Sequence, residues 1–266
     1  MKPEISVIMS TYNAMPYLKE AVKSILKQTY KNFEFIVVDD ASNDDTWIYL
    51  KSLKDKRLAL KRNKKNLGLA RSLNLALKNS RGKYIARMGA DDISLPGRLE
   101  AQVKFLNNHK SISLCGTWAY LIDKDGRTIG FKKYPSANKN IKRSLAWYPP
   151  IIHPTFMATR EFFNKLKGYN PDFDMAEDYE LLIRAKKDFN FYNIRQLLFK
   201  WRLWDQRRSR ANMKKMDEVD LKVKLESLKI NGVGVPIFLA LTKRIVSLYL
   251  IPHQLKAKIS KSLKVA

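Results

Sequence analysis

Along the first 92 residues, the apolar positions follow two alternating patterns, short runs and repeats at helical spacing. The runs are Ile5 to Met9, Phe33 to Val38, Leu58 to Leu60 and Tyr84 to Met88, and their lengths are typical of β-strands. The helical repeats comprise Leu18, Ala21, Val22, Ile25, Leu26, Leu69, Leu73, Ala76 and Leu77, with a further helix predicted from about Asp44 to Leu53. This alternation predicts βαβ units and an α/β fold, with a mostly parallel central sheet and helices on both faces.

Beyond residue 92 the pattern becomes mixed. The predicted elements are a helix with Leu99, Val103 and Leu106, strands Ile112 to Trp118 and Leu121 to Phe131 around an Asp125-Gly126 turn, and helices Phe162 to Leu166 and Tyr179 to Ala185. Strands joined by a tight turn pair in antiparallel fashion. The second half of the sheet is therefore expected to be less regular than the first.

The last part of the chain is basic and amphipathic. From Arg202 to Ala266 there are 15 basic and 5 acidic residues, a net charge of 15 − 5 = +10. Its apolar stripes comprise Ile237, Leu241, Ile245 and Leu248, and then Leu255, Ile259 and Leu263, with Lys243, Arg244, Lys256, Lys258 and Lys261 opposite them. This pattern predicts a helical tail over residues 210–266 that binds an anionic membrane surface. The alternative is a set of ordinary helices that pack on the preceding domain.

Composition adds a strong charge signal. The 266 residues include 51 basic and 25 acidic side chains, for a net charge of +26, which predicts attraction to an anionic partner. A nucleic acid would satisfy that charge, but no nucleic-acid-binding motif is recognised, and the densest basic part is interleaved with aliphatic rather than aromatic residues. We therefore expect no nucleic-acid partner, and keep a basic nucleic-acid-binding protein as an alternative hypothesis.

The cysteine count and the hydropathy pattern bear on the compartment. Cys115, the single cysteine, lies in an apolar run, which favours a buried thiol and a reducing compartment. The first residues lack the features of a signal peptide. No stretch of about 20 uncharged apolar residues is present, because Val235 to Pro252 contains Lys243 and Arg244. These features predict a cytoplasmic protein, and the basic amphipathic tail predicts that it lies peripherally on the inner face of the cell membrane.

Two aspartate pairs, Asp39-Asp40 and Asp91-Asp92, follow predicted strands. In parallel sheets, ligands bind beyond the carboxyl ends of the strands, so both pairs are candidates for one site. The alternative is that these aspartates form turns and cap helices. Mg²⁺ and Mn²⁺ prefer carboxylate oxygens, and one or two carboxylates leave coordination positions open for phosphates. No glycine-rich phosphate-binding loop is present, so a phosphorylated ligand here is expected to require a metal ion.

Four segments carry a resemblance to a known family, and their order and spacing match it as well. They are Ile5 to Asn13 (ISVIMSTYN), Phe35 to Ser42 (FIVVDDAS), Asn66 to Arg71 (NLGLAR) and Tyr84 to Asp92 (YIARMGADD). Together they resemble the successive motifs of glycosyltransferase family 2. Ile152 to Thr155 and Ala176 to Leu181 extend the resemblance, which covers roughly Pro3 to Ser209.

The resemblance implies a GT-A fold, which is Rossmann-like, and an inverting transferase of the hexosyltransferase type. It implies a nucleotide-sugar donor, usually a uridine diphosphate sugar, and Mn²⁺ or Mg²⁺ as cofactor. Residues 1–209 would form the catalytic domain, with residues 1–92 binding the nucleotide sugar and residues 93–209 the acceptor. The acceptor would be a glycan, with a lipid-linked glycan of bacterial surface-polysaccharide synthesis as the leading hypothesis.

The resemblance also implies roles for individual residues. Those matched to nucleotide-sugar binding are Thr11, Tyr12 against the base, Asp40 as an acceptor from the base, Arg71 supporting the nucleotide, and Asp91 as the metal ligand. Asp178 matches the catalytic base. Supporting positions are Asp39, Asp92, His153, Glu177 and Arg202. A carboxylate within hydrogen-bond reach of a sugar hydroxyl can remove its proton during attack, which agrees with the role implied for Asp178.

The chain departs from the family pattern at two positions. Gly89 stands where the metal motif usually begins with aspartate, which predicts weaker metal binding and leaves a catalytically weak or inactive homologue as an alternative. In Arg202-Leu203-Trp204 an indole replaces the histidine of an Arg-x-His element that many relatives carry. A contact from this side to the diphosphate would then depend on Arg202 or Arg207.

Overall fold

The computed structural model describes residues 2–204, 213–232 and 235–246. The first half contains β1 (Ile5–Thr11), α1 (Leu18–Leu26), β2 (Phe33–Asp39), α2 (Thr46–Ser52), β3 (Leu58–Arg62), α3 (Leu69–Asn79) and β4 (Tyr84–Arg87). The second half contains β5 (Ile93–Ser94), α4 (Arg98–Asn108), β6 (Leu114–Ile122), β7 (Thr128–Lys132), α5 (Asn138–Ser144), β8 (Met157–Thr159), α6 (Arg160–Leu166), α7 (Glu177–Ala185) and β9 (Phe191–Arg202). Helices α8 (Met213–Asn231) and α9 (Val235–Ile245) follow.

The first four strands form the parallel part of the sheet. Their order is β3-β2-β1-β4, and Ile5 of β1 faces Phe33 of β2 on one side and Tyr84 of β4 on the other. β1 and β2 are buried along their whole length because helices cover both faces of the sheet. The predicted α/β fold with a Rossmann-like first half is confirmed.

The second half of the sheet is mixed. β8 joins β4 and β6 in antiparallel fashion, whereas β6 and β9 run parallel to each other. The predicted strand from Leu121 to Phe131 is divided, because the Asp123 carboxylate accepts the N–H groups of Asp125 and Arg127 and closes a turn between β6 and β7. The sequence pattern did not predict β9. Its pairing register with β6 shifts twice, so its buried positions do not alternate as they do in a regular strand.

Two apolar clusters lie on opposite faces of the sheet. Ile5, Val7 and Met9 of β1 belong to one cluster, whereas Ile8 belongs to the other, as expected from the two-residue period of a strand. Cys115 is a fully buried free thiol, as predicted, and burial raises its pKa to about 12. It is therefore a structural, unreactive side chain.

Of the two C-terminal helices, α8 packs against α7, and α9 packs against α8. Val223 of α8 is fully buried in the same cluster as the α7 side chains. On α9, Ile237 and Leu241 are buried, but Ile245, predicted to share their face, is 45% exposed. Leu248 of the first apolar stripe, the whole second stripe from Leu255 onwards, and Arg207 lie outside the described residues. Within the described ranges, no helix is both long and apolar enough to cross a membrane.

Candidate functional site

A cleft of about 1140 Å³ opens at the carboxyl ends of β1, β2 and β4. Its walls include Thr11 and Tyr12 after β1, Asp40 after β2, and the Asp91-Asp92 pair after β4. Parallel pairing brings these strand ends together, although their residues are far apart along the chain. The two aspartate pairs therefore flank one site, but they contribute to it differently.

Asp39 faces the protein interior. Its carboxylate is fully buried, pairs with the guanidinium of Arg62 at 2.9 Å and accepts the hydroxyl hydrogen of Ser42. The Ser42 Oγ in turn accepts the N–H of Asn13 at 3.0 Å, which ties the loop after β2 to the loop after β1. Asp39 thus holds the two strand ends in place and does not line the cleft.

Asp40 lines the cleft and also organises the turn before α3. Its Oδ1 accepts the amide of Asn63 at 2.6 Å and the N–H of Leu67 at 2.9 Å, and its Oδ2 accepts the N–H of Gly68 at 2.9 Å. A carboxylate offers about four acceptor positions. One position on Oδ2 therefore remains for a ligand.

Residues beside Asp40 complete this end of the cleft. Tyr12 is 46% exposed, and its ring forms part of the wall. Thr11 also lines the cleft; it is buried, and its hydroxyl has no hydrogen-bond partner among the described residues. Arg71, by contrast, is exposed on α3 and is not among the lining residues.

The absent side chain at Gly89 determines the geometry of the Asp91-Asp92 pair. A Cβ atom at residue 89 would lie 2.2 Å from Asp92 Oδ2 and 3.4 Å from Asp91 Oδ1. The two carboxylates thus converge on the space that a side chain would fill. Two hard oxygen ligands at one point suit Mn²⁺ or Mg²⁺. Among the described residues, no group of three or more potential metal-binding side chains is present.

The end of β9 fastens this acidic loop. The N–H of Arg202 donates to Asp92 Oδ1 at 2.9 Å, and its Nε donates to the carbonyl of Asp91 at 2.8 Å. Its Nη2 pairs with Glu20 at 2.6 Å, and the side chain is 2% exposed. The indole of Trp204 donates to Asp91 Oδ2 at 3.0 Å. Arg202 supports the loop from behind, whereas Trp204 lines the cleft itself.

The opposite wall presents Glu177 and Asp178 at the start of α7. Asp178 Oδ1 accepts the N–H of Tyr179 at 2.8 Å, and the helix N-terminus favours its charged form. Burial, followed by repulsion from Glu177, nevertheless raises the pKa of Asp178 to about 7. Met175, just before this pair, has a φ of +86°, a strained conformation for a residue with a side chain. Strain of this kind is concentrated at functional sites.

A buried network supports that wall. His153 Nε2 lies 3.0 Å from the hydroxyl of Tyr169, and its Nδ1 lies 3.9 Å from Glu177 Oε1. Burial raises the pKa of Tyr169, so its hydroxyl stays protonated. His153 is only 9% exposed, yet it reaches the lining of the cleft. His153 therefore packs in a buried network and also lines the cleft.

Sequence reasoning missed several lining residues. Arg87 is hidden in the pattern of a buried strand, although a charge within such a run is itself a signal. Helix α8, assigned to the tail, contributes Met216, Asp217 and Asp220 to the lining. Eight of the described lining residues are acidic, namely Asp40, Asp91, Asp92, Asp174, Glu177, Asp178, Asp217 and Asp220. A strongly basic chain thus surrounds an acidic cleft.

Comparison with known protein sequences gives a consistent result. Residues 6–166 match the family described as Glycosyl transferase family 2. The chain is 39% identical over 208 residues to an uncharacterized glycosyltransferase of Methanocaldococcus jannaschii, with 76% of this chain and 71% of that protein covered. It is 38% identical over 206 residues to the putative glycosyltransferase EpsE of Bacillus subtilis, covering 75% and 73%. It is 33% identical over 208 residues to the O-antigen biosynthesis glycosyltransferase WbnJ of Escherichia coli, covering 75% and 79%.

Solved structures share the fold. S. aureus TarS 1-349 in complex with UDP-GlcNAc superposes with a TM-score of 0.71 at 21% identity, covering 93% of this chain and 73% of that one. The mannosyltransferase PcManGT from Pyrobaculum calidifontis, in complex with GDP-Man and Mn²⁺, has a TM-score of 0.68 at 18% identity, covering 100% and 81%. At these identities the likeness concerns the fold alone.

Proposed function

The chain belongs to glycosyltransferase family 2 and has the GT-A fold, and from this premise we propose that it transfers a sugar from a uridine diphosphate sugar to a glycan hydroxyl, with inversion. The observation that carries the proposal is that Asp178 and the Asp91-Asp92 pair line one cleft. The wall with Asp91 and Asp92 would then bind the departing diphosphate, and the wall with Asp178 would bind the attacking hydroxyl.

The donor nucleotide is assigned to the end of the cleft near β1 and β2. The exposed ring of Tyr12 offers a stacking surface for a base, and Asp40 Oδ2 retains an acceptor position for a base N–H group. Family resemblance implies that Arg71 supports the nucleotide. Because Arg71 does not line the cleft, it would contact a bound nucleotide from beyond the cleft wall. TarS has been solved with UDP-GlcNAc and PcManGT with GDP-Man, so both kinds of nucleotide suit this fold. We propose uridine for this chain.

The charge of the cleft supports a requirement for Mn²⁺ or Mg²⁺. Eight acidic side chains line the cleft, and they would repel a diphosphate that arrives without a divalent cation. Asp91 Oδ1 and Asp92 Oδ2, which converge over Gly89, would hold the ion. When bound, it would neutralise charge on the departing diphosphate. The PcManGT complex contains Mn²⁺, which agrees with this assignment.

Asp178 is assigned as the general base. Its ionised carboxylate accepts the proton of the acceptor hydroxyl as that oxygen forms a bond to C1 of the donor sugar. The bond between C1 and the phosphate oxygen breaks on the opposite side, and the diphosphate leaves with the bonding electrons. One displacement inverts C1. A pKa of about 7 leaves Asp178 able to gain and lose a proton near neutral pH.

We further propose that the acceptor is a lipid-linked glycan in surface-polysaccharide synthesis at the inner face of the cell membrane. WbnJ is named for O-antigen biosynthesis, which supports this class of product. α9 exposes Phe238, Leu239 and Ile245 close along the chain to Lys243. Apolar side chains beside a cation are suited to an anionic lipid surface.

The test is transfer of labelled sugars from a panel of uridine and guanosine diphosphate sugars, with Mn²⁺ and a bacterial lipid extract. We expect transfer from a uridine diphosphate sugar and its loss by a factor of at least about 10² in Asp178→Asn, which keeps the shape but cannot accept the proton. Asp172→Asn, at an exposed residue of the short 3₁₀ helix Pro171–Phe173, is the control. Binding of a donor without any transfer would favour the catalytically inactive homologue instead.

A further inference from the structure

Arg87 is an arginine at the floor of an otherwise acidic cleft. It is the last residue of β4, and its side chain is only 7% exposed although it belongs to the lining. Its main chain is held on both sides, because its N–H donates to Phe156 O and its carbonyl accepts Nη1 of Arg98. The position of this guanidinium is therefore set by the sheet.

Two nitrogen atoms of Arg87 have no hydrogen-bond partner within the described residues. They are the buried Nε and Nη1. Leaving charged donors buried and unpaired is costly, and native proteins avoid it unless another group completes the site. Burial lowers the pKa of Arg87, whereas Tyr169, Asp92 and Glu177 act in the opposite direction. The nearby acids thus offset the charge, but they leave hydrogen-bonding capacity unused.

A purely structural arginine usually donates to several oxygen atoms of the protein. Arg202 and Arg184 illustrate the structural case, since each donates from several nitrogen atoms to carbonyl and carboxylate oxygens. Arg98 also has two unpaired nitrogen atoms, but it is fully buried and does not line the cleft. Arg87 differs because it combines unpaired donors with a side chain that lines a ligand-sized cleft. A guanidinium donates well to the oxygen atoms of a ligand.

The neighbours of Arg87 indicate which part of a ligand it would meet. Asp92 belongs to the wall assigned to the diphosphate, and Glu177 is adjacent to the assigned base, and both act electrostatically on Arg87. A sugar that links the diphosphate to the attacking hydroxyl must lie between these two walls. The space above Arg87 is where that sugar would rest.

We propose that the Arg87 guanidinium donates to oxygen atoms of the transferred sugar, and thereby contributes to the choice of donor sugar. This inference rests on the proposed function. If Arg87 contacts the sugar, it should increase the affinity for the sugar nucleotide but not the affinity for the nucleotide alone. A contact to the diphosphate or the base would instead increase both affinities equally.

The test is calorimetric binding, with Mn²⁺, of UDP and of the uridine diphosphate sugar that binds the wild-type chain most tightly in a panel. In Arg87→Met we expect the ratio of the sugar nucleotide Kd to the UDP Kd to rise about tenfold, the effect of losing a hydrogen bond to a charged group. UDP affinity itself should stay within about twofold, which also shows that the variant is folded. Arg57→Met, which removes a guanidinium outside the cleft, should leave the ratio unchanged.

Arg87→Lys is a second variant that keeps the charge but lacks the planar guanidinium and most of its donors, and it should raise the same ratio. Equal weakening of UDP and the sugar nucleotide, or no change in either, would overturn the role of Arg87 while leaving the proposed function intact. A wild-type chain that binds neither UDP nor any sugar nucleotide would overturn both.

Discussion

The indole N–H of Trp204 donates to Oδ2 of Asp91 at 3.0 Å. Trp204 stands where many relatives carry the histidine of an Arg-x-His element, and its ring also meets Tyr17 edge to face at a centroid distance of 5.2 Å. With Oδ2 engaged by the indole, Oδ1 is the oxygen that converges with Asp92 over Gly89. Trp204 therefore fixes which oxygen of Asp91 faces the proposed metal position.

The first prediction concerns this hydrogen bond. Trp204→Phe retains an aromatic ring but removes the donor, so Asp91 should lose its fixed orientation. We expect Mn²⁺ affinity in the presence of UDP to fall by about tenfold, as is typical when a group that orients a metal ligand is removed. Titration of free Mn²⁺ by electron paramagnetic resonance measures this. Trp47→Phe, on α2 outside the cleft, is the matched control, and equal affinities for both variants would refute the role of Trp204.

The second prediction concerns Gly89. A Cβ atom there would lie 2.2 Å from Asp92 Oδ2, far inside contact distance, so Gly89→Ala should lower the free energy of unfolding by about 1–3 kcal/mol. The same collision explains why restoring the usual aspartate with Gly89→Asp should weaken Mn²⁺ binding rather than improve it. Thermal or urea unfolding measures the stability change.

A double-mutant cycle identifies the cause of the Gly89 effect. In an Asp92→Ala background, the carboxylate that the new methyl group would meet is gone, so Gly89→Ala should cost little additional stability. An unchanged cost in that background would mean that the strain arises elsewhere. Gly97→Ala is the control, because a Cβ at that residue meets nothing within 4 Å.

The sequence pattern predicted the position of the cleft, but not the environments of the individual aspartates. The strand runs and the aspartate pairs that follow them predicted the parallel half of the sheet and the edge that holds the cleft. Local pattern suffices there, because β1, β2 and β4 are buried on both faces and their carboxyl ends must meet. The different environments of Asp39 and Asp40 could not be predicted, since Arg62, Asn63 and Gly68 reach them only after folding.

The remaining parts of the site depend on contacts between distant segments. Gly89 predicted a lost ligand on family resemblance, whereas the fold reveals that Asp92 occupies the space of the absent side chain. By family resemblance Trp204 replaces a histidine, whereas the structure shows a hydrogen bond to Asp91 that spans 113 residues. Arg87 followed the pattern of a buried strand, because periodicity gives burial but cannot reveal which buried donors lack a partner. Such long-range pairings have no local signature.

The third prediction concerns pH. An ionised carboxylate is the active form of a base, so kcat/KM should fall as pH decreases through about 7, the pKa of Asp178. Glu177 raises this pKa by like-charge repulsion, so Glu177→Gln should shift the acidic limb of the profile to lower pH. Among the described residues, Asp178 also interacts electrostatically with Arg87, Tyr134 and Tyr169, and it accepts the N–H of Tyr179. The measurement is a pH–rate profile for both proteins at saturating Mn²⁺.

Glu180→Gln is the matched control for that profile. Glu180 lies one turn further along α7, is buried, and pairs with Arg184 rather than with the cleft. Its removal should lower stability without moving the acidic limb. A shift to higher pH in Glu177→Gln would contradict the assignment, since it would mean that Glu177 favours the charged form of Asp178.

The fourth prediction concerns membrane binding by α9. Phe238 is 61% exposed and Leu239 is 52% exposed, and Lys243 follows one turn later. Replacing both apolar residues by serine removes the side chains that would enter the lipid interface, while the buried Ile237 and Leu241 keep the helix attached. We expect flotation with vesicles containing phosphatidylglycerol to fall by at least about tenfold, at unchanged affinity for UDP.

Point substitutions are required here, because α8 and α9 are not equivalent parts of one tail. Val223 of α8 is fully buried, and Asp217 and Asp220 line the cleft, so truncation before residue 213 would damage the site itself. Leu225→Ser provides the control, since Leu225 is 47% exposed but belongs to α8. If membrane binding is specific to α9, this variant floats like the wild type, and vesicles of neutral phosphatidylcholine bind both proteins weakly. Loss of flotation in Leu225→Ser alone would assign the lipid surface to α8 and contradict the proposal.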